Sequence, residues 1–144
     1  MSSCNKDEEK ELVSFYHSTS FEVSIKNNAG EDLLDPNNPN SYNENEIKIF
    51  YLINGEMEEV YDALMDSPRN FFIFKSESEY KLRLFLDYST DFTTTYIKWN
   101  ESEMDTIQAE IFKTEGLTAY SKAWYNNEIV CENARGGCFF EIVK

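Results

Sequence analysis

The sequence predicts an all-β domain, an antiparallel β-sandwich of about 7–9 strands. Three observations lead there. Apolar residues alternate with polar ones in run after run, which is the period of a strand with one buried face. The runs are short, and turn residues recur between them. β-Branched and aromatic side chains concentrate inside the runs, where a pleated, half-buried surface suits them.

The first strand reads from Phe21, Val23 and Ile25, which alternate with Glu22, Ser24 and Lys26, and Asn27-Asn28-Ala29-Gly30 ends it. Residues 35–46 hold Pro36, Pro39 and five asparagines and read as a loop. Residues 47–53 are β-branched and aromatic. Asn54-Gly55 follows, a hairpin signal because a type I′ turn needs positive φ at both central positions. The next stretch has two readings. Met57, Val60, Tyr61, Leu64 and Met65 fall at helical spacing, whereas the Asn-Gly turn predicts a returning strand over 56–61, and the turn geometry favours the strand. Pro68 ends the stretch in either case. Residues 71–74 read as a short buried strand. Tyr80, Leu82, Leu84 and Leu86 mark the next, alternating with Lys81, Arg83 and Asp87. Residues 93–99 are β-formers. Ile107, Ala109 and Ile111 alternate with Thr106, Gln108 and Glu110. Residues 119–125 lead into Asn126-Asn127, a second hairpin turn, from which 128–131 returns, and 139–143 is the last strand. No internal repeat is present.

The 144 residues suffice for one domain with a real core. With 11 Phe, 9 Tyr and 2 Trp, the chain is too rich in large apolar side chains to be a disordered segment. Acidic residues number 27 against 13 basic ones, a formal net charge of −14. That field repels phosphate backbones, and no basic stripe offsets it, which argues against nucleic acid as a partner. It equally opposes adsorption to anionic lipid. No apolar run is long enough for a transmembrane helix. The lone histidine, His17, lies in a polar stretch, residues 1–19, that reads as a tether ahead of a single β-sandwich domain over 20–144; Ser-His and Cys-His nucleophilic sites therefore lack their base. No catalytic or cofactor motif is legible, and the expectation is a protein that is not an enzyme and carries no cofactor.

Ser2-Ser3-Cys4 resembles the end of a bacterial lipobox, in which a small residue precedes a cysteine that becomes acylated. The run Asn5-Lys6-Asp7-Glu8-Glu9 is similar to the acidic signal that sends Bacteroidetes lipoproteins to the outer face of the outer membrane. The apolar stretch of a signal peptide does not precede Cys4, so the chain reads as one trimmed near its processing site. Lipid on Cys4 also resolves the cysteine count. Of three cysteines, Cys131 and Cys138 remain as a pair, and a disulfide fits an oxidising compartment. Closing so short a loop is worth about 2.5 kcal/mol in the chain-entropy picture. A redox dithiol would more often show Cys-x-x-Cys spacing. Zinc does not fit, because Cys4 and His17 are far from the pair in sequence.

Further motifs carry a second resemblance. Asn28-Ala29-Gly30-Glu31-Asp32-Leu33-Leu34-Asp35-Pro36, the Tyr51-Leu52-Ile53-Asn54-Gly55 hairpin, Tyr96-Ile97-Lys98-Trp99-Asn100 with Asp105-Thr106-Ile107, and Lys122-Ala123-Trp124-Tyr125-Asn126 are similar to a family of small Bacteroidetes surface lipoproteins with no assigned activity. The similarity spans residues 20–144. Asn127 stands where that family often has Gly. The resemblance implies an immunoglobulin-like sandwich, a lipid anchor in the outer membrane and a cell-surface location, and it implies no chemistry.

Two clusters are candidate ligand sites. Trp124, Tyr125 and Tyr120, with Tyr96 and Trp99, could stack on sugar rings, since amphipathic aromatic faces suit such ligands. Core packing is the competing role. Trp99 shares a face with Ile97 and Thr95 and belongs to the core, whereas Trp124 and Tyr125 point to opposite faces, so one of them faces outward. The loop holding Asp32, Asp35 and Asn37 offers hard oxygen donors to Ca²⁺ but matches no EF-hand; a solvated Asx-rich loop explains it equally. The expected role is that of a surface-anchored, non-catalytic binding or accessory module for a glycan or protein ligand. The alternatives are a structural or assembly module of a cell-surface complex, joined through an exposed strand edge, or a domain of unknown function with no small-molecule site.

Overall fold

The computed structural model describes residues 16–18, 20–132 and 138–144. Among them are eleven strands: β1 (Tyr16–Ser18), β2 (Ser20–Lys26), β3 (Lys48–Ile53), β4 (Glu56–Glu59), β5 (Phe71–Ser76), β6 (Glu79–Phe85), β7 (Phe92–Asn100), β8 (Glu103–Thr114), β9 (Leu117–Tyr125), β10 (Glu128–Glu132) and β11 (Cys138–Val143). Strands β2 to β11 coincide with the runs read from alternation and turns. The count exceeds the expected 7–9 in part because of β1, which lies within residues 1–19 and is too short for a period of two to register.

The strands form two sheets. The larger has the order β1-β9-β8-β7-β3-β4, with β10 also on β9; the smaller has the order β11-β2-β6-β5. β1 and β10 pair different stretches of β9, β1 in parallel along residues 117–119 and β10 antiparallel along residues 122–125. The order β2-β6-β5 against β8-β7-β3-β4 is that of immunoglobulin strands B-E-D against G-F-C-C′. Two features depart from that plan. The last strand, β11, runs parallel to β2 in the place of strand A, and β9 and β10 widen the other sheet beyond the G position.

Local chemistry accounts for the hairpins. Asn54 (φ 52°) and Gly55 (φ 83°) form the left-handed turn between β3 and β4, and Asn126 (φ 49°) and Asn127 (φ 74°) form the one between β9 and β10. The helical alternative for 56–65 does not form. β4 pairs with β3 instead, and Met57, Tyr61, Leu64 and Met65 are exposed, so their helical spacing has no face to bury.

One core lies between the sheets. Phe21, Val23, Ile25, Leu82 and Leu84 of the smaller sheet meet Ile49, Ile97, Trp99, Ile107 and Ala123 of the larger. Two tyrosine hydroxyls at its margin are paired: that of Tyr120 donates to the Ser20 carbonyl at 2.7 Å, and that of Tyr51 to the Phe85 carbonyl at 2.8 Å, whereas the buried Ser24 and Thr95 hydroxyls have no partner among the described residues. The Cys131–Cys138 disulfide, with Cα atoms 6.2 Å apart, joins β10 in one sheet to β11 in the other. It therefore staples the sandwich across its seam as well as closing a loop.

Candidate functional site

Trp124 sits on β9 between Ala123 and Tyr125, both buried, and it points out of the sandwich. Register assembles its surroundings from three other strands. Ile129 of β10 pairs with it on one side and Gln108 of β8 on the other, and Thr94 of β7 follows Gln108. The Phe92 ring lies 5.8 Å from the Trp124 ring at 50°, and the Lys122 ammonium stands 5.7 Å over the indole. A neighbouring row runs Phe50–Tyr96–Thr106, and another runs Phe92–Glu110–Lys122–Glu132. Beside Phe92 is a shallow depression of about 520 Å³ lined with Asp91, Glu110, Lys113 and Ser121 among others. The outer face of the larger sheet thus combines half-exposed aromatic rings with amide, hydroxyl and carboxylate groups. The tilt of Phe92 against Trp124 makes an angled seat, not one flat plane.

Tyr120 and Tyr125 do not join this face. Tyr120 is fully buried against Phe21, and Tyr125 is 6% exposed with its ring edge-on to Phe140 at 5.3 Å. For Tyr125, strand alternation is the reason, since it is one residue from Trp124. For Tyr120, the irregularity opposite Glu110 and Ile111 turns the side chain inward. Of the three residues proposed for stacking, Trp124 alone faces solvent. Trp99 is in the core, as its strand face required.

Tyr125 instead belongs to a buried polar cluster centred on Asp105. The Asp105 carboxylate accepts from the Trp99 indole N–H at 2.8 Å, the Tyr125 hydroxyl at 2.5 Å, the Asn126 amide at 3.1 Å and the Lys144 ammonium at 2.6 Å. Lys144 also pairs with Glu103 at 2.7 Å, and Glu103 accepts from the Tyr42 hydroxyl, whose ring stacks on Trp99 at 4.7 Å. Burial pushes the Asp105 carboxyl upward, but Lys144, Tyr125, Asn126 and Trp99 together hold it below its usual range. Burial and then the Asp105 charge push the Tyr125 phenol far upward, so it remains a donor. With three donors on Oδ2 and one on Oδ1, Asp105 is a structural acceptor that ties three strands and Lys144 together. The sequence showed it only within the Asp105-Thr106-Ile107 motif and gave no sign of its role among 27 acidic residues.

The oxygen-rich loop turns its carboxylates onto backbone amides, its own and that of Tyr80 on β6. Asp32 accepts from the Leu34 and Tyr80 amides, and Asp35 accepts from the Asn37 amide, an Asx turn. Among the described residues no group of three His, Cys, Asp or Glu side chains converges as a metal site would require. Cys4 lies outside the described residues. No family model, curated protein or solved structure matches the chain.

Proposed function

We propose that this protein is a surface-anchored, non-catalytic binding module that takes a glycan on the outer face of its larger sheet. The observation that carries the reading is Trp124, turned outward beside Phe92, with Gln108 paired to it in register and Thr94 next in the same row. An aromatic ring stacks on the apolar face of a sugar, and neighbouring amide and hydroxyl groups bond its rim. The net charge of −14 favours neutral over anionic glycans. Tyr96, two strands from Trp124 across β8 and two residues along β7 from its row, is about 12 Å away by strand geometry and would extend the seat along a chain of sugars. Glycan-array screening followed by calorimetry tests this. Trp124→Ala should remove binding and leave folding intact, whereas a neutral glycan bound equally by wild type and Trp124→Ala, or no glycan bound at all, would overturn it.

Anchoring is assigned to acylation of Cys4, which places the domain at the cell surface as an outer-membrane lipoprotein of Bacteroidetes type. Each buried CH₂ contributes about 0.8 kcal/mol, so more than one chain is needed for durable attachment. When the full precursor is expressed in its native host, Cys4→Ala should move the protein out of the membrane fraction. Retention of the Ala variant on the membrane would refute the anchor.

A further inference from the structure

We propose that the free edge of β5 is a docking site for an acidic, extended strand of a partner protein, independently of the glycan face. Among the described residues, β5 pairs only with β6. Its register shows which backbone groups are open. The Phe85 amide donates to the Asn70 carbonyl, making Asn70–Phe85 a hydrogen-bonded pair next to Phe71–Leu84. Bonded pairs alternate in an antiparallel ladder, so Phe72, Phe74 and Ser76 bond to β6. Phe71, Ile73 and Lys75 then direct their N–H and C=O groups away from the sheet. A strand added there gains main-chain hydrogen bonds without disturbing any that exist.

The chemistry around this edge differs from that of the rest of the surface. β4, the exposed edge of the larger sheet on the same side of the sandwich, reads Glu-Met-Glu-Glu and is protected by its charges. β5 reads Phe-Phe-Ile-Phe-Lys-Ser and has no carboxylate. Its outward rings, Phe72 and Phe74, are 5.7 Å apart and lie beneath the Arg83 guanidinium at 5.6 and 5.5 Å, with Phe85 beside Phe72. Arg83 also pairs with Glu22. Lys81 sits 4.0 Å over the Phe139 ring, Lys75 is 5.8 Å from the Tyr80 ring, and Arg69 caps the carbonyls of Glu44, Asn45 and Ile47 while lying 5.1 Å over Phe71. Among the described residues, Arg69, Lys75 and Lys81 thus meet rings and carbonyls but no carboxylate within ion-pair distance. In a chain with twice as many acids as bases, an aromatic strand edge that carries Lys75 and no carboxylate, with Arg69 just ahead of it and the Arg83 guanidinium over its outer rings, fits a partner of opposite charge. A second copy carries the same net charge of −14 and fits it less well.

The probe is an end-capped peptide of alternating valine and glutamate, with an alternating valine–lysine peptide as control, followed by fluorescence anisotropy. The valine–glutamate peptide should bind, and added salt should weaken it. Lys75→Pro removes an outward N–H and no ladder bond, so it should weaken binding by at least about tenfold with the circular dichroism spectrum unchanged. Should that variant unfold, the charge-reversed Lys75→Glu protein provides the same test through charge. Trp124→Ala should bind the peptide as wild type does, which separates this site from the glycan face. The proposal falls if the valine–lysine peptide binds as tightly, if neither peptide binds, or if sedimentation shows a dimer of the chain itself that Lys75→Pro dissolves.

Discussion

Replacing Asp105 with Asn keeps the shape of the side chain and removes its charge. It also turns one acceptor oxygen into an NH₂ group. Three of the four donors around Asp105 meet at Oδ2: the Trp99 indole, the Tyr125 hydroxyl and the Lys144 ammonium. Asn can flip, but it cannot accept from Asn126 on one side and from these three on the other. Lys144, partly buried, keeps Glu103 as its one carboxylate partner among the described residues. Breaking a buried pair from one side costs about 3–5 kcal/mol, more than the roughly 1.5–3 kcal/mol of a single charge-assisted bond and less than the sum of four. At about 2.1 cal/mol/K per residue, a 144-residue domain has an unfolding entropy near 0.3 kcal/mol/K, so the expected fall in Tm is about 10–17 °C. Thermal unfolding followed by circular dichroism at neutral pH, with the disulfide intact, measures it. The pH dependence has a fixed sign. Burial raises the Asp105 pKa, but its four donors outweigh burial and leave it below the unfolded value of about 3.9. Its contribution is present above that value and is lost as pH falls through the folded pKa, so the gap between wild type and Asp105→Asn should close in acid. Burial lowers the Lys144 pKa, but Asp105 and Glu103 raise it further, so its contribution is lost only as pH rises beyond the ordinary lysine range. A variant melting within about 3 °C of wild type, or a gap that persists at low pH, would refute the assignment of Asp105 as the cluster's organising charge.

Replacing both Cys131 and Cys138 with Ser should lower Tm by about 8 °C, from roughly 2.5 kcal/mol of lost loop closure, without changing the strand content. Non-reducing peptide mapping should recover one linked pair, and free thiols in oxidised, folded protein would contradict the bridge. Gly55→Ala should destabilise by about 1–2 kcal/mol because Gly55 has φ of 83°, and open space around a new Cβ leaves backbone strain as the sole cause; urea unfolding with an unchanged slope would show this.

What the sequence determined by itself was the local structure. Phe21-Val23-Ile25, the Ile107-Ala109-Ile111 alternation, and the Asn54-Gly55 and Asn126-Asn127 turns each declare a strand or hairpin within a few residues, because side-chain period and positive φ are local properties. Alternation also showed that Trp124 and Tyr125 could not share a face, and residue arithmetic paired Cys131 with Cys138. Tertiary structure alone decided everything that depends on register. It placed Gln108 beside Trp124 with Thr94 next in the row, brought Phe92 to it from 32 positions away, and turned Tyr120 inward. It also selected Asp105 from 27 acidic residues by gathering donors from β7, β9, the β9–β10 turn and Lys144 around one carboxylate. The physical reason is range. Strand propensity is encoded residue by residue, whereas a hydrogen bond between Lys144 and Asp105, or the open edge of β5, exists only after distant strands have chosen their partners.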